Sequence, residues 1–137
     1  MVTTKKTDTP SKSNSHARLA ETMQMIEEVT SAMLAKKGQR VVVLDLRGIE
    51  KAVCDFFVIC SADTAPHIKA LCDEVEDRVA SATGEWPWRS SGRENAQWIV
   101  LDYIDVVVHL MTNPTRDFYD LEGLWADAKR TEYKDED

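Results

Sequence analysis

The sequence predicts an α/β domain built on a mixed sheet, and three observations carry that reading. Segments of helical periodicity alternate with β-branched runs in the first half of the chain. The densest strand signal, WIVLDYIDVVVHLM at 98–111, breaks at Asp102-Tyr103-Ile104-Asp105 and so reads as a hairpin. Both faces of that hairpin are substantially apolar, because Trp98 and Val100 share one face with Asp102 while Ile99 and Leu101 share the other. Strands joined through a helix run parallel and a hairpin is antiparallel, so one sheet holding both is mixed.

Residues 1–14, MVTTKKTDTPSKSN, bury too little apolar surface to offset the entropy of ordering, and a disordered tail is expected. Their basic, hydroxylated character suits an organellar presequence less well, for want of an amphipathic arginine pattern. A helix is expected from Ser15, with Leu19, Met23, Ile26, Val29 and Met33 on one stripe and Glu21, Glu27 and Glu28 off it. Lys36 and Lys37 complement its dipole, and Gly38 offers a left-handed cap. Arg40–Leu46 reads as a strand, Arg47-Gly48 as a break, and Asp55–Cys60 as a second strand. Asp63 or Thr64 then caps a helix with Pro66 in its first turn and Ile68, Leu71, Cys72, Val75 and Val79 on its buried stripe, ending near Gly84. In the connection 85–97, EWPWRSSGRENAQ, the tryptophans are expected to pack on the sheet, with a contact surface or a short edge strand as alternatives. After the hairpin, one helix is expected from Arg116 to about Lys129, with Phe118, Leu121, Leu124, Trp125 and Ala128 aligned. The domain then spans 15–130, and 131–137 is a charged, frayed tail.

A chain of 137 residues suits one core. It contains no apolar run long enough for a membrane span and no secretory block at its N-terminus, so an intracellular, cytoplasmic protein is expected. Cys54, Cys60 and Cys72 form no CxxC pair, and the last two lie in apolar patterns as reduced, buried thiols. Residues 1–18 hold Lys5, Lys6, Lys12 and Arg18 against Asp8, so the net charge of -7 leaves -10 on residues 19–137. Such a domain is poorly made to neutralise phosphates, which argues against direct nucleic-acid binding and for a basic protein partner, if the acidity serves more than solubility.

Candidate chemistry is sparse. Asp45, Asp102 and Asp105 could converge on Mg²⁺ in a nucleotidyltransferase, but such enzymes place two acids two apart on one strand face after a Gly-Ser turn that opens a helix, and that spacing is missing. His16, His67 and His109 have no triad partner or metal cluster legible at sequence level, so no catalytic residue, metal or cofactor is expected. Binding has more support: Trp98 and Val100 form an apolar centre beside Tyr103, rimmed by Asp102 and Asp105. Either helices bury Trp98, or its face is kept for a partner; exposed to water, it could also pair two copies of the chain.

The segments DLRGIEKAVCDFFVIC at 45–60, HIKALCDEVEDRV at 67–79, the hairpin at 98–111 and RDFYDLEGLWADA at 116–128 together resemble the ribosomal silencing factor family, RsfS or Iojap. The resemblance covers about residues 17–128. It implies a nucleotidyltransferase-like fold with a mixed sheet of about five strands, flanking helices and no catalysis. It implies binding to a ribosomal protein on the intersubunit face of the large subunit, which sterically blocks joining of the small subunit and represses translation when nutrients are scarce. Some members act in subunit assembly, which stands as the alternative role beside an Mg-dependent transferase. Trp98 matches the family's contact tryptophan, and Asp102, Tyr103, Asp105 and Arg116 lie in its shared segments. The chain departs from the family at Ala62-Asp63-Thr64, at Ser91-Gly92 and at Ile104, where glycine is common. A β-branched residue disfavours positive φ, so a different turn is expected at Ile104.

Overall fold

A computed structural model describes residues 12–135, with side chains from residue 16 onward. The chain runs α1 (Lys12–Ala35), β1 (Gln39–Asp45), β2 (Phe56–Ala62), α2 (Ala65–Thr83), β3 (Arg89–Ser91), β4 (Trp98–Asp102), β5 (Val106–Thr112), α3 (Asn113–Tyr119), α4 (Leu121–Leu124) and β6 (Lys129–Glu132). Its strands form one six-stranded sheet in the order β3-β4-β5-β2-β1-β6. The sheet is mixed, with β2 and β5 parallel and the other neighbours antiparallel, and it has one strand more than the resemblance implied.

Alternation along the strands separates two apolar layers. Val43, Val58, Cys60, Ile99, Leu101 and Val108 join α1 and α2 in the larger core. Val42, Leu44, Phe57, Ile59 and Met111 face the other way and are partly covered by Leu121, Trp125 and Ala128. Helix α2 matches its sequence signals in full: the Thr64 hydroxyl accepts from the His67 N–H, Pro66 sits in the first turn, Gly84 closes the end at φ 78, and the five expected residues are buried. Burial also pushes the Cys60 and Cys72 thiols up to about 12.

Helix α1 differs in phase. Thr22, Met25, Ile26, Val29, Ala32 and Met33 are buried while Leu19 and Met23 are exposed. At 3.6 residues per turn the buried arc centres between Thr22 and Val29, which leaves Leu19 and Met23 on its outer edge. The helix begins at Lys12, inside the expected tail, the rest of which (1–11) lies outside the described residues. Its left-handed cap is Lys37 at φ 61 rather than Gly38. Gly38 answers a need for space, since a Cβ there would stand 3.1 Å from Cys60 Sγ and 3.0 Å from the Met33 oxygen.

The C-terminal segment departs furthest from expectation. Instead of one helix from Arg116 to Lys129, Asp120 turns left-handed at φ 48 and ends α3. Its carboxylate then caps α4 by accepting from the Gly123 N–H. Residues expected to fray instead form part of β6, with Val42 opposite Glu132 and Asp45 opposite Lys129. Every side chain of β6 is exposed, as on a charged edge strand, and such a strand lacks the apolar alternation that reveals an inner one. At the other edge, β3 is the short strand held open as an alternative. Trp86 and Trp88 are exposed rather than packed on the sheet, and the Arg89 guanidinium lies 4.7 Å from the Trp88 ring centre.

The hairpin turn also overturns an expectation. Ile104 has φ 79, held by the Asp102 carboxylate accepting its N–H and by the Asp105 N–H donating to the Tyr103 carbonyl, a three-residue γ-turn. Two local hydrogen bonds thus impose a backbone that isoleucine disfavours, and the exposed side chain gives little packing in return. Ile104→Gly is expected to stabilise the domain by about 1 kcal/mol, the relief of left-handed strain less glycine's entropy in the unfolded chain. A thermal melt that does not rise would place the strain elsewhere.

Candidate functional site: an uncovered aromatic sheet face

The site follows from the register of three strands. Trp98, Val100 and Asp102 of β4 stand opposite Met111, His109 and Val107 of β5. The last two in turn adjoin Ile59 and Phe57 of β2. All point away from α1 and α2. Leu121, Trp125 and Ala128 cover the β1 side of this face, while Val100 and Val107 remain only half-buried. Along the rim of the cover, Phe118 is 80% exposed and Leu124 67% exposed.

Six rings cross this face in a continuous line. Phe118 meets Tyr119 edge-on at 4.9 Å, and Tyr119 lies 4.9 Å from Trp98. Trp98 is 5.9 Å from His109, His109 packs edge-on against Phe57 at 4.5 Å, and Phe57 does the same against Trp125 at 5.9 Å. The Lys51 ammonium caps the far end, 5.7 Å from the Trp125 ring. Aromatic rings of this kind give large contact area at low conformational cost, and rim exposure keeps that area available to a partner.

One buried polar contact lies within the line. The Trp98 indole Nε1–H donates to His109 Nδ1 at 3.0 Å. His109 is only 6% exposed, its Nε2 has no hydrogen-bond partner among the described residues, and burial pushes its pKa down to about 4. At neutral pH the ring is uncharged.

The residues singled out from sequence divide into two groups. Trp98, Val100 and Asp102 share the open face, and Asp105 sits at its hairpin end, bound to Arg18 at 2.7 Å. Tyr103 and Arg116 do not join them. Tyr103 is buried in the core beneath the helices, where burial raises its pKa. Arg116 is 3% exposed and is buried under the covered part of this same sheet face in an ion pair with Glu122, donating also to the hydroxyl of Ser61, which stands opposite Met111, and to the Gln39 carbonyl. A hairpin tyrosine next to the break looks accessible in sequence, and Arg116 entered only through the family resemblance; the strand's inner face and the chain reversal at Asp120 are tertiary facts. Phe57, Tyr119 and Phe118 were missed as site residues, although Phe118 and Trp125 stood on the predicted stripe of the last helix.

The carboxylates do not converge. Asp102 accepts from the Ile104 N–H, Asp105 pairs with Arg18, and Asp45 pairs with Arg47 at 2.7 Å. The Arg47 hydrogen bond, outweighing burial, holds the Asp45 carboxyl below its ordinary range. Among the described residues, no group of three or more His, Cys, Asp or Glu is placed to hold a metal ion. Nor is any described helix long and apolar enough to cross a membrane.

The chain has known relatives. The family model described as "RsfS: Ribosomal silencing factor during starvation" matches residues 19–137. The chain belongs to the RsfS family. It is 35% identical over 109 residues to the ribosomal silencing factor RsfS of Halalkalibacterium halodurans, covering 80% of this chain and 92% of that one. It is 34% identical over 82 residues to the chloroplastic protein Iojap of Arabidopsis thaliana, covering 60% of this chain and 34% of the plant protein. A crystal structure of a Chromobacterium violaceum protein superposes with a TM-score of 0.71 at 28% identity, over 76% of this chain and 85% of the other. RsfS membership thus agrees with the resemblance carried by the hairpin and the segment after it.

Proposed function

We propose that this RsfS-family chain acts in the cytoplasm as a non-catalytic silencer of the large ribosomal subunit. Its uncovered aromatic face docks on a basic ribosomal protein at the intersubunit surface, and the bulk of the domain then excludes the small subunit, which represses translation when nutrients are scarce. The observation that carries this reading is the line of rings ending in exposed Phe118, on a sheet face that α3 and α4 leave half-covered. The charge of -10 over residues 19–137 favours a basic partner and steers its approach. Asp102 places part of that charge at one end of the face, while Asp105 beside it is neutralised by Arg18 of α1. Occlusion requires occupied surface only, so the separate engagement of Asp45, Asp102 and Asp105 is no obstacle.

The test is co-sedimentation with isolated large subunits, followed by addition of small subunits. The chain is expected to travel with the large subunit and to lower joining in proportion to its occupancy. Trp98→Ala is expected to weaken that contact by about 2 kcal/mol or more, roughly thirtyfold, as an interface hot spot would, while the melt of the domain stays cooperative. Binding without any effect on joining would move a role in subunit assembly ahead. Unchanged affinity in Trp98→Ala would take the site away from this face.

A further inference from the structure

We infer that His109 is a positioning residue for Trp98: held neutral in its Nε2–H tautomer, it accepts the indole N–H and fixes the plane in which Trp98 meets Tyr119 and the open face. The binding consequence of this assignment rests on the function proposed above; the hydrogen bond itself does not.

Donor and acceptor chemistry decides the tautomer. An indole nitrogen can only donate, so the Nδ1 that it reaches at 3.0 Å must be bare. A proton on Nδ1 would set two N–H groups head to head. In a neutral ring the remaining proton then sits on Nε2, which is buried and has no partner among the described residues. Leaving a buried donor unsatisfied is unfavourable, but the opposite tautomer would set two N–H groups against each other and leave a bare Nε2 unpaired as well. The observed ring therefore sacrifices its own Nε2–H to hold the tryptophan. Packing keeps the imidazole in place, because it sits on β5 opposite Val100, beside Ile59 of β2, with Phe57 against its plane. Trp98 is less enclosed, half-buried against Met111 with Tyr119 on its other side. Without the imidazole acceptor the indole could turn about its side-chain bonds, and a partner would have to select the productive orientation.

Three measurements on the full chain test this. The imidazole ¹⁵N spectrum at neutral pH is expected to show bare Nδ1 and protonated Nε2 for His109; protonated Nδ1 would overturn the assignment. The Trp98 indole N–H, identified by its loss in Trp98→Phe, is expected to exchange with water about tenfold faster in His109→Leu, as befits one lost hydrogen bond, and to slow again in His109→Asn, whose Oδ1 stands near the place of Nδ1. Unchanged exchange in His109→Leu would overturn it as well. Finally, His109→Leu is expected to weaken binding to isolated large subunits about tenfold and to add no further loss to Trp98→Ala. An equal loss with and without Trp98 would show that His109 acts by another route. Should the wild-type chain fail to bind, the proposed function falls, while the two spectroscopic measurements still decide the pair.

Discussion

Arg116→Ala is expected to destabilise the domain by about 3–5 kcal/mol, the range for breaking a buried ion pair from one side. Arg116 is almost fully buried, and its guanidinium binds the Glu122 carboxylate through both Nε and Nη2. Nη1 donates to the Ser61 hydroxyl at 3.2 Å and more weakly to the Gln39 carbonyl at 3.4 Å. Truncation would strand Glu122, whose side chain is only 11% exposed, together with those two acceptors. Burial by itself would raise the Glu122 pKa, yet the hydrogen bond and charge of Arg116 hold it below the ordinary carboxylate value. Urea unfolding of the single variant checks the figure, and Arg116→Met combined with Glu122→Leu should recover most of the loss, because the pair then leaves together. A loss below about 1 kcal/mol in the single variant would mean that the pair is solvated in solution. Since Arg116 is buried and offers almost no surface to a partner, ribosome binding by the folded fraction of Arg116→Ala should change far less than binding by Trp98→Ala.

His109 is expected to make the fold acid-sensitive. Its folded pKa of about 4 lies below the ordinary histidine value of 6.5, and burial is the sole cause. Between those values the unfolded chain binds the proton and the folded chain does not. Stability from this group is therefore complete above about pH 6.5, is lost as pH falls, and is gone below about pH 4; the sum is about 3 kcal/mol. Carboxylates held low, such as Asp45 and Glu122, lose their contributions at the acid end of this range and beyond it. His109→Leu separates the effects: from about pH 7 to about pH 4.5 the wild type is expected to lose about 2–3 kcal/mol more than the variant. Parallel stability curves for the two proteins would show that the imidazole titrates normally in the fold.

Much of the fold was legible because local signals and tertiary packing agreed. In α2 the cap, the proline, the stripe and the terminal glycine all specify the same helix, and the hairpin's β-branched runs leave little competition. Legibility failed where a tertiary contact overrode periodicity. Phe118, Leu121, Leu124 and Trp125 do fit a helical stripe, but a left-handed Asp120 redirects the chain, leaving Phe118 and Leu124 in water. The charged residues of β6 carry no apolar alternation because their strand is an edge. For the site, alternation alone put Trp98 and Val100 on one face, though not whether the helices would leave that face open. The role of His109 could not, since the indole bond depends on the register between β4 and β5, which no single segment encodes.

The last strand has a consequence for the order of events during synthesis. Val42 and Glu132 are paired across 90 intervening steps of the chain, and the segment carrying Phe118, Tyr119 and Trp125 is tied down on both sides, by β5 before it and β6 after it. A nascent chain that has emerged as far as β5 already owns the helices and strands of the larger core, but its aromatic rim still hangs from one end. The larger core can thus close before the aromatic rim is fastened. If that face is the docking surface proposed above, a half-made copy is expected to bind its target less well than a finished molecule, since the rim is fastened only after nearly all of the described length has been made.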